Sequence, residues 1–148
     1  MAALCDVNFL LALVTDRHVH HGIAVHRFGQ ILKREAIVCR PAQVGLLRLL
    51  NNPAVMREDV LETTACWELW HALLGDERIN FTAAEPAGIE SAFEKMTTGR
   101  AFTPRLWSDA YLAAYAFTGG LTVVTFDNGF RQFSGLNCDV LEASGQSP

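Results

Sequence analysis

Short apolar runs of strand length alternate with amphipathic stretches of helix length along nearly the whole chain, and this alternation is the tightest constraint on its fold. Residues 2–5, 36–39, 121–125 and 138–141 are apolar and too brief for buried helices, so they read as strands, with residues 78–81 as a short edge strand. Between them, Val7, Leu10, Leu11 and Val14 recur at helical spacing. Residues 20–35 place Ile23, Ala24, Phe28, Ile31 and Leu32 on one stripe. Pro41 opens a helix rich in Val44, Leu46, Leu47, Leu49 and Leu50 that Asn51, Asn52 and Pro53 close. Asp59 reads as the N-cap of a helix running to Leu74, with Glu62 completing a pattern like a capping box, and Gly75 and Asp76 stop it. Residues 86–96 and 105–117 are the last helices, the second opened by Pro104 and ended by Gly119 and Gly120. Strands alternating with helices imply an α/β fold: a mainly parallel sheet with right-handed crossovers, helices on both faces, and a ligand site at the carboxyl ends of the strands.

The chain has 148 residues, half of them apolar, which suits a single domain, taken as residues 1–141, with a flexible tail over 142–148. Its net charge of −4 argues against unassisted grip on a phosphate backbone, which needs clustered Lys and Arg, and leaves room for a local basic patch. Cys5, Cys39, Cys66 and Cys138 are scattered among apolar neighbours with no Cys-x-x-Cys pair, and read as reduced core residues. No basic region precedes the apolar stretch from Val7 to Val14, which Asn8 interrupts, so neither a signal peptide nor a membrane span is expected. A soluble cytoplasmic protein follows as the expectation.

Asp6 directly follows the first strand and Asp127 closely follows the strand over 121–125, so both project from one edge of the sheet. Asp109 lies one turn into a helix, on the side that carries Leu112 and Ala113 toward the sheet. Burying such a carboxylate alone costs several kcal/mol on the order given for unpaired charges. Three converging carboxylates repel one another unless protonated or bridged by cations, and hard oxygen ligands select magnesium or manganese. Divalent ions at such a site suit in-line phosphodiester hydrolysis. Two other carboxylate-based classes fit poorly. A phosphoryl-accepting receiver needs a late lysine, and the only lysines are Lys33 and Lys95; a haloacid-dehalogenase-like phosphatase needs an acid at position 8, which is Asn8.

The strings Leu4-Cys5-Asp6-Val7-Asn8, Trp107-Ser108-Asp109-Ala110-Tyr111-Leu112-Ala113 and Val124-Thr125-Phe126-Asp127-Asn128-Gly129-Phe130 together resemble PIN-domain ribonucleases, specifically VapC-type toxins of toxin–antitoxin pairs. Gly45-Leu46-Leu47-Arg48-Leu49-Leu50-Asn51-Asn52-Pro53 is similar to the family's segment after the second strand, so the resemblance covers nearly the whole chain. It implies that Asp6, Asp109 and Asp127 are catalytic metal ligands for Mg2+ or Mn2+, that Asn8 and Thr125 support them by hydrogen bonds, and that the substrate is RNA. It also implies a homodimer and a cognate antitoxin that inserts into the active-site groove. The sequence departs from the family at Gln43, which matches a position usually held by glutamate; a neutral amide adds no charge, and a second metal would then be loose or absent. The competing reading is a PIN-like module, catalytically weakened, that only binds RNA or a protein.

Blander readings stand beside these. Asp6 is equally suited to capping the helix that follows, Asp127 to forming an Asp-Asn-Gly turn, and Asp109 to pairing with Arg105 on an exposed face. Arg48, Arg100 and Arg105 are the candidates for RNA phosphate contacts, with residues 97–102 as a loop that helps select the RNA. His18, His20, His21 and His26 read as a solvated loop and helix start, and Trp67 and Trp70 as core or interface packing.

Overall fold

The computed structural model describes residues 1–142. The expected C-terminal tail falls, apart from Glu142, outside the described residues. A sheet of five parallel strands occupies the centre in the order β3-β2-β1-β4-β5. β1 (Ala3–Cys5) is its middle strand, between β2 (Ala36–Cys39) and β4 (Thr122–Thr125), with β3 (Ile79–Thr82) and β5 (Cys138–Val140) at the edges. Every position of β1 and β2 is buried, which explains why these segments are continuous apolar runs without a polar face.

From β1 the chain steps outward to β2 and β3, then returns across the sheet to β4 and β5. Right-handed crossovers then set α1 (Val7–Val14), α2 (His21–Phe28), α3 (Arg40–Leu50), the short α4 (Pro53–Met56) and α5 (Thr63–Leu74) against one face. The return connection sets α6 (Ile89–Thr97) and α7 (Leu106–Gly119) against the other. The winding reverses between β1 and β4, the place where a doubly wound sheet opens a crevice beyond its strand ends. Register carries the arrangement to the site: Cys5 pairs with Val124, and the Asp6 N–H donates to the Val124 carbonyl at 3.0 Å, so Asp6 and Thr125 emerge side by side.

Phe9, Leu10, Leu46, Leu50, Val38, Val123 and Phe130 fill the core around the sheet. Gly45 lets α3 lie close to α1, because a Cβ there would stand 2.8 Å from Val7 Cγ2. Cys5, Cys39 and Cys66 are buried free thiols, and burial pushes Cys5 up to about 12, out of the reactive range. Among the described residues no helix is long and apolar enough to cross a membrane.

Several boundaries differ from the sequence expectation for local reasons. The helix expected over 20–35 stops at Phe28, and residues 29–35 turn back to β2 with Arg34 at φ 65. Asp59 does not cap α5; it lies in a 3-10 turn, Arg57–Asp59, and accepts a hydrogen bond from Arg17 at 3.3 Å, while α5 starts after Glu62 with no side-chain cap. The helix expected from Pro86 begins at Ile89, because Gly88 takes the left-handed conformation at φ 86. The Asp-Asn-Gly turn is the start of a 3-10 helix, Asn128–Gln132.

Candidate active site

Asp6 leaves β1 in an extended conformation and heads α1, and it is 3% exposed. Its Oδ1 accepts the Val7 N–H at 2.7 Å and its Oδ2 accepts the Thr125 hydroxyl at 2.7 Å. The capping role foreseen as the bland alternative is therefore filled by the same side chain that faces the site. Burial pushes the Asp6 pKa up, while the bonds from Thr125 and Val7 and the charge of Arg105 hold it down and the charge of Asp127 raises it further.

Thr125 is fully buried at the end of β4 and joins two of the acids, since its oxygen also accepts the Asp127 backbone N–H at 2.9 Å. Asn8 performs the matching task from α1: its side-chain oxygen accepts the Phe126 N–H at 3.1 Å and lies 3.3 Å from the Thr125 hydroxyl. Asp127 Oδ1 accepts the Gly129 N–H at 2.9 Å, which fixes the carboxylate at the head of the 3-10 turn. These bonds tie the strand ends of β1 and β4 together through side chains.

Asp109 comes from the first turn of α7 and is 6% exposed. Its pKa is pushed up to about 7, chiefly by burial; the charges of Asp6 and Asp127, and a hydrogen bond with Asp127, add to the rise, and Arg105 opposes it. Arg105 stands against both outer acids, with Nη1 3.3 Å from Asp127 Oδ2 and Nε 4.0 Å from Asp109 Oδ2. Asp109 thus turns inward, and it meets Arg105 from a buried position and not on the exposed face that the bland reading gave it.

A cleft of about 510 Å3 opens over Asp6 and Asp109, lined by Val7, Asn8, Pro41, Ala42, Gly45, Arg48, Leu49, Pro104, Arg105, Ser108, Tyr111 and Leu112. Arg48 and Arg105 are its cations. Arg100, expected to reach phosphate, instead braces the 3-10 turn: it donates to the Met96 carbonyl at 2.6 Å and to Gln132 Oε1 at 3.0 Å, and lies over the Phe133 ring. Gln43 is buried, but it lines a separate groove with Arg40, Thr63, Cys66 and Trp67, and its Oε1 accepts from Arg40 at 2.7 Å. On α3 the residues that face the cleft are Ala42, Gly45, Arg48 and Leu49, and Gln43 lies roughly 100° around the helix from Ala42. Ser108 and Tyr111 were not singled out from sequence; Ser108 stands at helical spacing from Tyr111 and Leu112, which also line the cleft, a periodicity that could have flagged it. Tyr111 donates to Glu85 at 2.8 Å.

The donor set is chemically suited to a hard divalent ion, since all three acids offer carboxylate oxygen; burial holds two of them above the ordinary carboxylate range. Among the described residues, no group of three Asp, Glu, His or Cys side chains is placed so that it could hold a metal ion as it stands.

A doubly wound parallel sheet with acids brought from three elements toward its switch point defines a class of small α/β proteins. The PIN-domain profile matches residues 3–136, and the chain belongs to that family. It is 37% identical over 143 residues to ribonuclease VapC41 of Mycobacterium tuberculosis, covering 93% of this chain and 97% of that protein. Ribonuclease VapC29 of the same organism is 28% identical over 91% of this chain and 92% of that protein. Two crystal structures share the fold. Mycobacterium tuberculosis VapC20, described as a sarcin-ricin-loop-cleaving toxin, matches with a TM-score of 0.67 at 18% identity, over 91% of this chain and 96% of that one. VapBC2 of Rickettsia felis bound to a promoter DNA fragment matches with a TM-score of 0.68 at 11% identity, over 96% of this chain and 100% of that one.

Proposed function

We propose that this chain is a magnesium- or manganese-dependent endoribonuclease and the toxin of a type II toxin–antitoxin pair. The observation that carries the reading is that Asp6 and Asp109 line one cleft and Arg105 bridges Asp109 to Asp127, in a chain 37% identical to a protein named as a ribonuclease. Asp6, Asp109 and Asp127 would hold the ion. A divalent ion there supplies Lewis acidity toward phosphate and a nucleophilic water at neutral pH.

The chain's own groups do the rest. Val7 and Thr125 orient both oxygens of Asp6, so its lone pairs are aimed before any ligand arrives. Asp109 sits poised between protonated and ionised near neutral pH, and a bound cation would drive off its proton. Arg48 and Arg105 give the cleft two cations, which suit a phosphodiester backbone although the chain as a whole is acidic. The likeness to the VapBC2 structure supports an antitoxin partner, and the reading extends to a homodimer that this partner holds inactive. Co-purification with the product of an adjacent small gene tests that partner.

The deciding experiment titrates the full chain with manganese by calorimetry beside Asp6→Asn and Asp109→Asn, and incubates the same samples with a structured RNA with and without EDTA. Saturable binding lost in both variants, with cleavage abolished by EDTA, is expected. A wild-type protein that binds no manganese overturns the catalytic reading and leaves a PIN-like module that binds RNA or protein.

A further inference from the structure

We propose that Arg105 is a built-in occupant of the carboxylate cluster, which a divalent cation must displace before the site is assembled. This rests on the metal-dependent reading above. The guanidinium reaches two acids from different elements, Asp127 at 3.3 Å after β4 and Asp109 at 4.0 Å on α7, and its charge also favours the ionised form of Asp6. It thus sets one positive charge against the same three groups that would hold the ion. A guanidinium and a divalent cation repel each other and compete for the same carboxylate oxygens, so both cannot rest against Asp109 and Asp127. Arginine does not lose its proton in proteins, and the competition therefore persists at every working pH.

The arginine is also free to leave. Its side chain is 57% exposed and lines the open cleft, so swinging out breaks no core packing. Once displaced it stays beside Arg48 in that cleft, where RNA phosphate would meet it. A fixed phosphate contact would leave metal affinity untouched, whereas an occupant of the cluster sets it.

The test is a manganese titration by calorimetry, without RNA, on metal-free full-length wild type, Arg105→Gln, Arg105→Lys and Arg48→Gln. Arg48 lines the same cleft and forms no ion pair among the described residues, so Arg48→Gln removes an equal charge without opening the cluster. Arg105→Gln is expected to bind manganese roughly three- to tenfold more tightly than wild type, the scale set by releasing an exposed ion pair and a repelling charge. Arg105→Lys should stay near wild type and Arg48→Gln should shift less than Arg105→Gln. Equal or weaker binding by Arg105→Gln overturns the proposal while wild-type binding preserves the nuclease reading. Matching gains in both glutamine variants also overturn it, since they would reflect only the field of the cleft. No binding by any variant or by wild type removes the metal-dependent reading itself.

Discussion

The Thr125 hydroxyl donates to Asp6 Oδ2 at 2.7 Å, and the same oxygen accepts the Asp127 N–H at 2.9 Å. One buried hydroxyl thus orients the acid at the end of β1 and fixes the backbone of the acid beyond β4. Thr125→Val keeps the shape of the side chain and removes both bonds. It should cost about 1–3 kcal/mol in urea unfolding, because it strands a buried acceptor and a backbone donor. It should also weaken manganese binding, with Thr125→Ser restoring most of it. A Thr125→Val protein with unchanged affinity would show that Asp6 needs no orienting partner beyond the Val7 N–H.

Asp109 lends the metal-free protein a specific pH dependence. Its folded pKa is pushed up to about 7 by burial, above the usual unfolded value of roughly 4. A raised carboxyl favours folding in its protonated form, so its contribution is complete below pH ~4 and disappears as pH rises through ~7. In EDTA, Asp109→Asn should therefore be more stable than wild type at pH 8, by on the order of 1–3 kcal/mol, with the gap closing toward pH 5. Melting curves across that range check it, and a gap that widens toward acid would contradict the assignment.

Gln43 presents its oxygen to Arg40 and lies in the groove beside Trp67, away from Asp6. Restoring an acid with Gln43→Glu should create an ion pair with Arg40 and leave the manganese stoichiometry unchanged, with affinity within about twofold of wild type as for a modest electrostatic change. A second equivalent of bound manganese in Gln43→Glu would mean that position 43 can turn into the cluster after all.

Gly45 holds α3 close to α1 directly beside the site, where an added methyl would meet Val7 Cγ2 at 2.8 Å. Gly45→Ala should destabilise by about 1–3 kcal/mol through overpacking. Because the clash has a single named partner, trimming it with Val7→Ala in the same chain should recover part of the loss, a non-additivity that a double-mutant cycle measures. Simple addition of the two costs would place the strain elsewhere.

Much of the fold and half of the site follow from neighbouring residues. The apolar runs at 36–39 and 121–125 mark buried strands because a parallel strand has no solvent face, and Asp6 and Asp127 lie near strand ends whatever else the chain does. The periodicity around Asp109 likewise points it inward. These are properties of periods of two and of 3.6, which a linear pattern contains in full. Helix starts were less legible: Asp59 and Pro86 carry initiation signals, but a 3-10 turn absorbs the first and the left-handed Gly88 postpones the second.

Local pattern therefore determined the alternating architecture, the strand-end acids and the inward face of α7. Only the tertiary structure decided that Thr125 would stand opposite Asp6, that Arg105 would bridge Asp109 and Asp127, that Arg100 would brace the 3-10 turn, and that Gln43 would turn toward Arg40. The physical reason is common to all four. What each of these side chains meets depends on strand register and on how closely helices such as α1 and α3 approach, and both are set by contacts between residues far apart in the chain.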